Sequence, residues 1–374
     1  MKWLWCLLCA AYGVAAAAGV VATDDRGVTL NLRAPAIRII TLAPSITEMV
    51  FAAGAGAQLV AVPRYSDFPA QAAVLPQIGD ASSIDAERIV TLRPDLVIGW
   101  KSGNRAADIA RLERLGLQLF VIEPLVLDDL PRALRAIATL AGTLSVAEST
   151  AGAFETRVAA LRARYAGAAK VRVFYEIWHQ PLMTVNDRHI ISDVLRVCGG
   201  ENIFAALPVL TPVVSLEDVM ARKPQVVLGG GSSLSADEFM ALWRAPTRLS
   251  GLRDLPVRYV DPDAIQRQTL RVLTGAEEVC RHLDSVRAAP RRARNPNQSY
   301  SAFSPAALMT RPHLSISDWM KVPNCSGVLP IGSAPSASRR SRTSGIFRMA
   351  TVSALSFVIT ARAVALGASM PYQV

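Results

Sequence analysis

The chain has 374 residues, a hydrophobic fraction of 51% and a formal net charge of +10. Residues 287–374 contain eleven Lys or Arg and one acid, Asp318, so this segment carries the whole +10 and the rest is balanced. The basic charge is therefore no argument for nucleic-acid binding by the folded part, and we expect no nucleic-acid partner. About 250 residues remain between the two ends, enough for two lobes that each bury a core.

Residues 1–22 have the layout of a secretory signal peptide. Lys2 is followed by an apolar, alanine-rich run from Trp3 to about Ala22 that ends in small residues. We expect the leader to be removed and the protein to reach the periplasm. An uncleaved membrane anchor is the alternative, because the run approaches the length of a transmembrane helix.

Residues 34–142 alternate between short apolar runs and helical patterns. The predicted strands are 37–43, 58–63, 95–100 and 118–123, and the predicted helices are 45–54, 106–116 and 127–142. Strands of this length alternating with helices are typical of βαβ units around a parallel sheet. The sequence therefore predicts a first α/β lobe at 34–142.

Residues 145–167 predict one long helix, with apolar residues at i, i+3 and i+4 spacing. A helix of that length is roughly 33 Å long, enough to run along two lobes as a stiff connector. A second lobe follows at 170–286, with strands predicted at 171–177, 225–230 and 256–262. The predicted fold class is α/β, with two Rossmann-like lobes built on parallel sheets and joined by a single long rigid helix.

Three cysteines remain after the leader: Cys198, Cys280 and Cys325. In an oxidising compartment a pair is expected to be bridged. Cys198 and Cys280 lie in helix-like segments of the second lobe, and a bridge between them would close a loop of roughly 80 residues and contribute on the order of 4 kcal/mol. Two unpaired buried thiols are the alternative.

Residues 287–374 differ from everything before them. Pro, Ser and Arg dominate this segment, and no helix or strand period is sustained, which predicts a basic disordered tail. The abrupt change near residue 288 also fits a shifted carboxy-terminal reading frame.

One segment occurs twice: IDAERIVTLRPDLVIGW at 84–100 and VSLEDVMARKPQVVLGG at 214–230. Each copy predicts a short helix, a basic residue and a proline, and then a buried strand. Glu87 and Glu217 hold the same position in the two copies, which predicts a matched pair of contact points for a partner. The structural alternative is stabilisation of the helix start, typically by about 0.3–1 kcal/mol, with Asp85 and Ser215 as N-caps.

The sequence has no familiar catalytic or metal-binding pattern. Its four histidines show no i, i+4 pair, and it has neither a G-x-S-x-G motif nor a Walker-type phosphate loop. We therefore expect a binding protein rather than an enzyme, with no cofactor and no metal. Aromatic and polar residues follow the predicted strands, where open α/β sheets bind ligands. These residues are Tyr65, Trp100, Trp178 and the run from Asp261 to Arg267.

Together these segments resemble the periplasmic cobalamin-binding proteins of cobalamin ABC importers. The resemblance covers about residues 34–286 and rests on RIITLAPSITEMVFAAGAG, YSDFPAQA, ERIVTLRPDLVIGW, VFYEIWHQPLMT and ISDVLRVCGGENIF. It implies a monomer that captures cobalamin or a related corrinoid between its lobes and delivers it to the subunits of an inner-membrane ABC permease. The wider class includes haem- and siderophore-binding members, so a haem or iron-siderophore ligand is the alternative.

Individual roles follow by position from the resemblance. It implies that the ligand site is lined by Tyr65, Trp100, Asp263, Ala264, Ile265, Gln266 and Arg267. Glu87 and Glu217 would meet arginines of the permease, and Cys198–Cys280 would be the disulfide of the family. The chain has Ala81, Thr211 and Ala264 where a familiar member has tryptophan, and Trp178 offers one replacement surface.

Overall fold

The computed structural model describes residues 19–80, 83–231, 234–245 and 250–289.

An antiparallel hairpin precedes the first lobe. The hairpin pairs strand β1 (Val20–Thr23) with strand β2 (Thr29–Leu32). Residues 1–18 of the predicted leader lie outside the described part, but the predicted leader also included 20–22, which the structure places in β1. Cleavage after Ala22 would therefore remove most of this strand.

The amino-terminal lobe (N-lobe) is built on a parallel sheet. Its elements are β3 (Ile39–Thr41), α1 (Pro44–Ala52), β4 (Leu59–Ala61), β5 (Gly79–Asp80), β6 (Ser83–Ile84), α2 (Ala86–Thr91), β7 (Leu96–Trp100), α3 (Ala106–Arg114), β8 (Leu119–Ile122) and α4 (Asp129–Ala141). The sheet has the order β4-β3-β7-β8, and β5 and β6 form a separate hairpin. Its central strands are buried apolar runs, as expected for a sheet covered by helices on both faces.

Helix α5 (Leu144–Tyr165) joins the two lobes. Its 22 residues span roughly 33 Å at the usual rise. It buries one stripe, made of Ala147, Ala151, Phe154, Val158 and Tyr165. The predicted connecting helix at 145–167 thus matches α5 within two residues at each end.

The carboxy-terminal lobe (C-lobe) repeats the plan. Its elements are β9 (Val171–Glu176), α6 (Ile190–Val197), β10 (Gly200–Asn202), α7 (Leu216–Ala221), β11 (Val226–Gly229), α8 (Ala236–Arg244), α9 (Ser250–Arg253), β12 (Val257–Tyr259), α10 (Pro262–Ile265) and α11 (Val272–Ala288). All pairs in its sheet are parallel, and the order β10-β9-β11-β12 corresponds strand by strand to that of the N-lobe. The predicted fold class is confirmed.

The duplication extends to side-chain hydrogen bonds. Arg38 enters β3 and donates from Nη2 to the carbonyl of Leu92 at 2.6 Å, at the end of α2. Arg172 lies in β9 and donates to the carbonyl of Arg222, at the end of α7. Each arginine thereby satisfies carbonyls that a helix terminus leaves without partners.

The turns after α2 and α7 are also equivalent. Arg93 and Lys223, each followed by proline, have φ angles of 46° and 49°. A non-glycine residue in this left-handed region is uncommon, so the same strained turn occurs at the same point of both lobes.

A continuous apolar core joins the lobes. It contains residues of the N-lobe sheet and helices, the buried stripe of α5, and the β9 and α11 side of the C-lobe. Separate clusters fill the outer face of each sheet. The Cys198–Cys280 disulfide, which bridges residues 82 apart in sequence, lies in the shared core and confirms the predicted pairing.

The last described helix extends beyond the predicted end of the C-lobe. Arg287 belongs to α11 and donates from Nε to the carbonyl of Ala169 at 2.8 Å. The predicted boundary between 286 and 287 therefore falls inside this helix, while residues 290–374 of the predicted tail lie outside the described part. Among the described helices, none combines the length and hydropathy that crossing a bilayer requires.

Candidate functional site

The predicted aromatic residues lie at the carboxyl ends of sheet strands. Tyr65 follows β4, Trp100 ends β7 and Trp178 follows β9. Tyr65 is 53% exposed, while Trp100 and Trp178 are partly buried and both pack against the core that joins the lobes. We use the name cleft for the candidate ligand surface at these strand ends, with Tyr65, Trp100, Trp178 and Asp263 as its predicted residues, since ligands of open α/β sheets bind there.

A buried hydroxyl chain holds the loop that carries Tyr65. The Oγ1 of Thr47 in α1 lies 2.7 Å from Oγ1 of Thr41 and 3.1 Å from Oγ of Ser66. Tyr65 itself has φ of 66°, in the left-handed region. The loop is therefore fixed to α1 immediately beside the residue whose ring is exposed.

Trp100 is held from two sides. Its backbone N–H donates to Oδ1 of Asn104 at 2.7 Å, and Nδ2 of Asn104 donates to the carbonyl of Leu42 at 2.8 Å. The indole ring lies directly on Gly103, where an added Cβ would be 1.8 Å from a ring carbon. A side chain at position 103 would therefore displace the ring.

Glu123 lies beside the same tryptophan. Burial raises the pKa of its carboxyl, and hydrogen bonds from the backbone N–H and the hydroxyl of Ser102, at 2.6 and 2.8 Å, oppose that shift. Nothing in the sequence marked this residue, because the apolar run of β8 ends just before it.

Trp178 borders a small cavity in the C-lobe. Its indole N–H donates to the carbonyl of Gln180 at 2.9 Å. The cavity has a volume of about 200 Å³ and is lined by Trp178, His179, Gln180, Gly231 and Leu234. This volume is below the roughly 300 Å³ of the smallest typical ligand pockets, so it accommodates only part of a large ligand.

A buried carboxylate supports the Trp178 loop. Oε1 of Glu176 lies 2.9 Å from Nδ1 of His179, and Oε2 accepts the indole N–H of Trp243 at 2.6 Å. The Glu176 side chain is 1% exposed. This trio was missed in the sequence because Glu176 occurs at the end of a predicted strand and Trp243 is 67 residues away.

Most residues of the 263–267 loop, which was predicted to line the ligand site, are buried in the structure. Ala264, Ile265 and Gln266 are 4%, 0% and 3% exposed, respectively. Ile265 packs against Gly275 of α11, and Nε2 of Gln266 donates to the carbonyl of Gly230 at 2.8 Å. In this structure all three side chains are buried, within the short helix α10 or at its C-cap, and Ile265 and Gln266 make contacts inside the C-lobe. Asp263, with a side chain 48% exposed, is the member of this loop on the surface.

Arg267 makes ion pairs across the boundary between the lobes. Its Nη1 lies 2.9 Å from Oε1 of Glu48 in α1 and 2.6 Å from Oδ1 of Asp67, in the Tyr65 loop. Its Nη2 lies 3.1 Å from Oδ1 of Asp263. The loops that follow β4 and β12 therefore meet at one place, but the predicted ligand contact of Arg267 competes with three intramolecular acids.

Glu87 and Glu217 occupy equivalent, exposed positions in the first turns of α2 and α7. The backbone N–H of Arg88 donates to Oδ1 of Asp85 at 2.9 Å, and that of Asp218 donates to Oγ of Ser215 at 3.0 Å. Both predicted N-caps are confirmed. Since the caps bind the backbone, the two glutamate side chains extend from the surface.

Within the described ranges, no cluster of three or more His, Cys, Asp or Glu side chains has the arrangement of a metal site. Of the three positions predicted to have lost a tryptophan, Ala81 lies outside the described residues. Thr211 is partly exposed and Ala264 is buried.

The chain has two α/β lobes, each built on a parallel sheet, that are joined by one helix and carry aromatic residues at their strand ends. This arrangement defines a two-lobed solute-binding protein. The chain belongs to the family described as "Periplasmic binding protein", whose sequence profile matches residues 39–252.

Curated relatives extend the match. The chain is similar to the vitamin B12-binding protein of Vibrio cholerae serotype O1 (strain ATCC 39541 / Classical Ogawa 395 / O395), with 36% identity over 249 residues, 67% of this chain and 90% of the relative. It is 37% identical to the vitamin B12-binding protein of Yersinia pestis (strain Pestoides F) over 249 residues, 67% of this chain and 87% of that protein.

Among solved structures, the periplasmic vitamin B12 binding protein of Vibrio cholerae superimposes with a TM-score of 0.62 at 35% identity, covering 68% of this chain and 99% of that one. A periplasmic heme-binding protein from Pseudomonas aeruginosa superimposes with a TM-score of 0.57 at 22% identity, covering 66% of this chain and 91% of that one. The second likeness shows the fold alone.

Proposed function

We propose that this chain binds a corrinoid in the cleft and delivers it to an ABC permease, without turnover. The observation that carries the proposal is the match at 36% identity to a vitamin B12-binding protein over 90% of that relative's length. The strand-end aromatic residues of both lobes support it. A haem or iron-siderophore ligand has weaker support, because the heme-binding neighbour shares the fold at only 22% identity.

The cleft residues suit a large ring. Tyr65, Trp100 and Trp178 present flat apolar surfaces with one polar tip each, and aromatic side chains of this kind bury large areas. Trp100 is held by Gly103 and Asn104, and Trp178 by its own hydrogen bond to Gln180. Fixed side chains lose little conformational entropy when a ligand binds. Asp263 remains in the proposed site, whereas Ala264, Ile265 and Gln266 are assigned to packing.

Delivery involves the repeated glutamates. Glu87 and Glu217 are exposed acids at matched positions of the two lobes, which suits a permease made of two related subunits that each present arginines. The predicted leader and the family membership support the periplasm as the place of action, and we propose that the protein works there as a monomer.

Titration of the purified chain with cyanocobalamin, followed by calorimetry and by the visible spectrum, tests the ligand. We expect saturable binding at one site. Absence of heat with any corrinoid, together with saturable binding of haemin, would replace the proposed ligand with a porphyrin.

The substitution Gly103→Ala tests the cleft itself. The added Cβ overlaps the Trp100 ring, so the ring moves and cyanocobalamin affinity should fall on the order of tenfold, about 1.4 kcal/mol. Gly152→Ala is the matched control, because a Cβ there meets nothing within 4 Å. Equal affinities of the two variants would remove Trp100 from the proposed site.

A further inference from the structure

One carboxylate of the N-lobe holds two arginines of the C-lobe. Oε1 of Glu48 lies 2.9 Å from Nη1 of Arg267 and 3.2 Å from Nη1 of Arg271. The side chains of Glu48 and Arg267 are 4% and 8% exposed. The separations of 219 and 223 residues place these contacts across the lobe boundary.

The two arginines differ in their other partners. Arg267 also pairs with Asp67 and Asp263. Arg271 has Glu48 as its acid partner among the described residues, and its guanidinium carbon lies 4.4 Å from the ring centroid of Phe68. The Arg271 side chain is 28% exposed, so its guanidinium group borders solvent next to the Tyr65 loop.

The acids of this cluster outnumber its arginines by one. Three acids, Glu48, Asp67 and Asp263, face Arg267 and Arg271, which leaves a formal charge of −1. Burial raises the pKa of Glu48, and both arginines oppose that shift; the hydrogen bond from Arg267 lowers the pKa of Asp67. Each of the two guanidinium groups therefore already has a carboxylate partner inside the protein.

The pairing has a consequence for ligand class. Carboxylate ligands are bound by unpaired arginine or lysine side chains, which supply charge-assisted hydrogen bonds. A porphyrin such as haemin carries carboxylates, whereas the periphery of a corrinoid consists largely of neutral amides.

We propose that Glu48 is a specificity-determining residue that excludes carboxylate-bearing ligands by keeping Arg271 paired. Glu48 acts through Arg271 without touching the ligand. The inference rests on the proposed function, because it assumes that the ligand lies beside the Tyr65 loop.

The test compares haemin and cyanocobalamin binding to the full chain and to Glu48→Gln, which keeps the shape of the side chain and removes its charge. Arg271 then loses its acid partner, while Arg267 retains Asp67 and Asp263. Haemin affinity should rise on the order of tenfold, because a freed arginine gains a carboxylate partner. Cyanocobalamin affinity should stay within about threefold, since no direct contact is removed.

Two further variants separate specificity from loosening of the lobes. In Glu48→Gln combined with Arg271→Gln, the gain in haemin affinity should disappear. Glu155→Gln is the matched control, because it breaks an arginine pair of 2.6 Å on α5, away from the cleft. Neither affinity should change in that control.

Unchanged haemin affinity in a folded Glu48→Gln protein would overturn the proposal, and so would a gain that persists in the double variant. If circular dichroism shows that Glu48→Gln does not fold, Glu48→Asp withdraws the carboxylate from Arg271 while keeping its charge. A smaller haemin gain in Glu48→Asp is then expected, and no gain would overturn the proposal. Failure of the unmodified chain to bind cyanocobalamin would instead refute the proposed function, and the haemin comparison would still decide the role of Glu48.

Discussion

The two lobes share one architecture and differ in how it is stabilised. Both have the same strand order, the same arginine cap on the helix of the repeated segment and the same left-handed turn before a proline. The C-lobe adds the Cys198–Cys280 disulfide and the buried hydrogen bond between Glu176 and Trp243. The N-lobe has the β1–β2 hairpin instead. The shared features preserve sheet geometry and the exposed acids, whereas the differences set the stability and chemistry of each lobe separately.

The largest expected effect concerns Glu87 and Glu217, the exposed acids that occupy equivalent positions in the two lobes. Replacing Glu87 and Glu217 together with Ala should weaken docking to the cognate permease by roughly 2–5 kcal/mol per pair, because each permease arginine loses its partner. Folding should change by at most about 1 kcal/mol per site. The measurement is the affinity of the ligand-loaded chain for the permease in detergent.

Asp237→Ala is the control for docking, since Asp237 is an exposed acid in the first turn of α8 outside the repeat. If the double variant binds the permease as tightly as the unmodified protein, the two glutamates serve only to stabilise the starts of their helices.

The disulfide tests the C-lobe alone. Replacing Cys198 and Cys280 with Ser reopens a loop of 82 residues and should lower the free energy of unfolding by about 4 kcal/mol. Denaturant titration measures this loss. Cys325→Ser should leave the unfolding curve unchanged, and a comparable loss in that control would show that Cys325 takes part in a bridge.

The first helix of each lobe starts differently, which predicts a pH response. Helix α1 starts at Ala43 and Pro44 without a side-chain cap, whereas Nδ1 of the fully buried His189 accepts the N–H of Ile191 at 3.2 Å at the start of α6. Burial lowers the pKa of His189 from 6.5 to about 4. As the pH falls from 6.5 toward 4, the unfolded chain takes up a proton that the folded chain does not.

The contribution of His189 is therefore complete above pH 6.5, and about 3 kcal/mol of it is lost at acid pH. His189→Asn keeps a capping oxygen and removes the titration. Unfolding free energies of the two proteins at pH 7 and pH 4.5 should show a flatter response in the variant. Parallel pH profiles would contradict the assignment.

The smallest expected difference between the lobes is in the stability that the N-caps of α2 and α7 contribute. Asp85 caps α2 through one hydrogen bond, while Ser215 and Asp218 form a reciprocal capping box on α7. Each Ala substitution of the cap should cost about 1 kcal/mol, with the larger loss at Ser215. Chemical denaturation ranks the two, and a larger loss at Asp85 would mean that the reciprocal bond contributes little.

Most of the sheet architecture was predictable because its strands are buried apolar runs bounded by Gly, Pro or Asp. The β5–β6 hairpin and β10 were missed because their residues, GD, SI and GEN, contain no apolar run. Strand β1 was missed because its apolar residues continue the apolar run of the leader.

The position of Tyr65 after a strand was predictable, because the apolar run before it is a clear strand, and its contact with a ligand stays a prediction. The site was not predictable where burial depends on tertiary packing, as for Ile265 and Gln266. Glu48 was hidden in an apolar helix whose partner arginines are more than 200 residues away. An unpaired acid in such a helix is the signal that points to a distant cation.

The turn of the β1–β2 hairpin bonds to β8, the last strand of the N-lobe sheet. The N–H of Asp25 donates to the carbonyl of Val121 at 3.0 Å, and Oδ2 of Asp25 accepts the N–H of Glu123 at 2.6 Å. An uncovered edge strand is a template for pairing with another chain. Asp25 lies after Ala22, so leader cleavage either before Val20 or after Ala22 would keep both contacts, and we expect them to protect this edge from self-association even when most of β1 is removed.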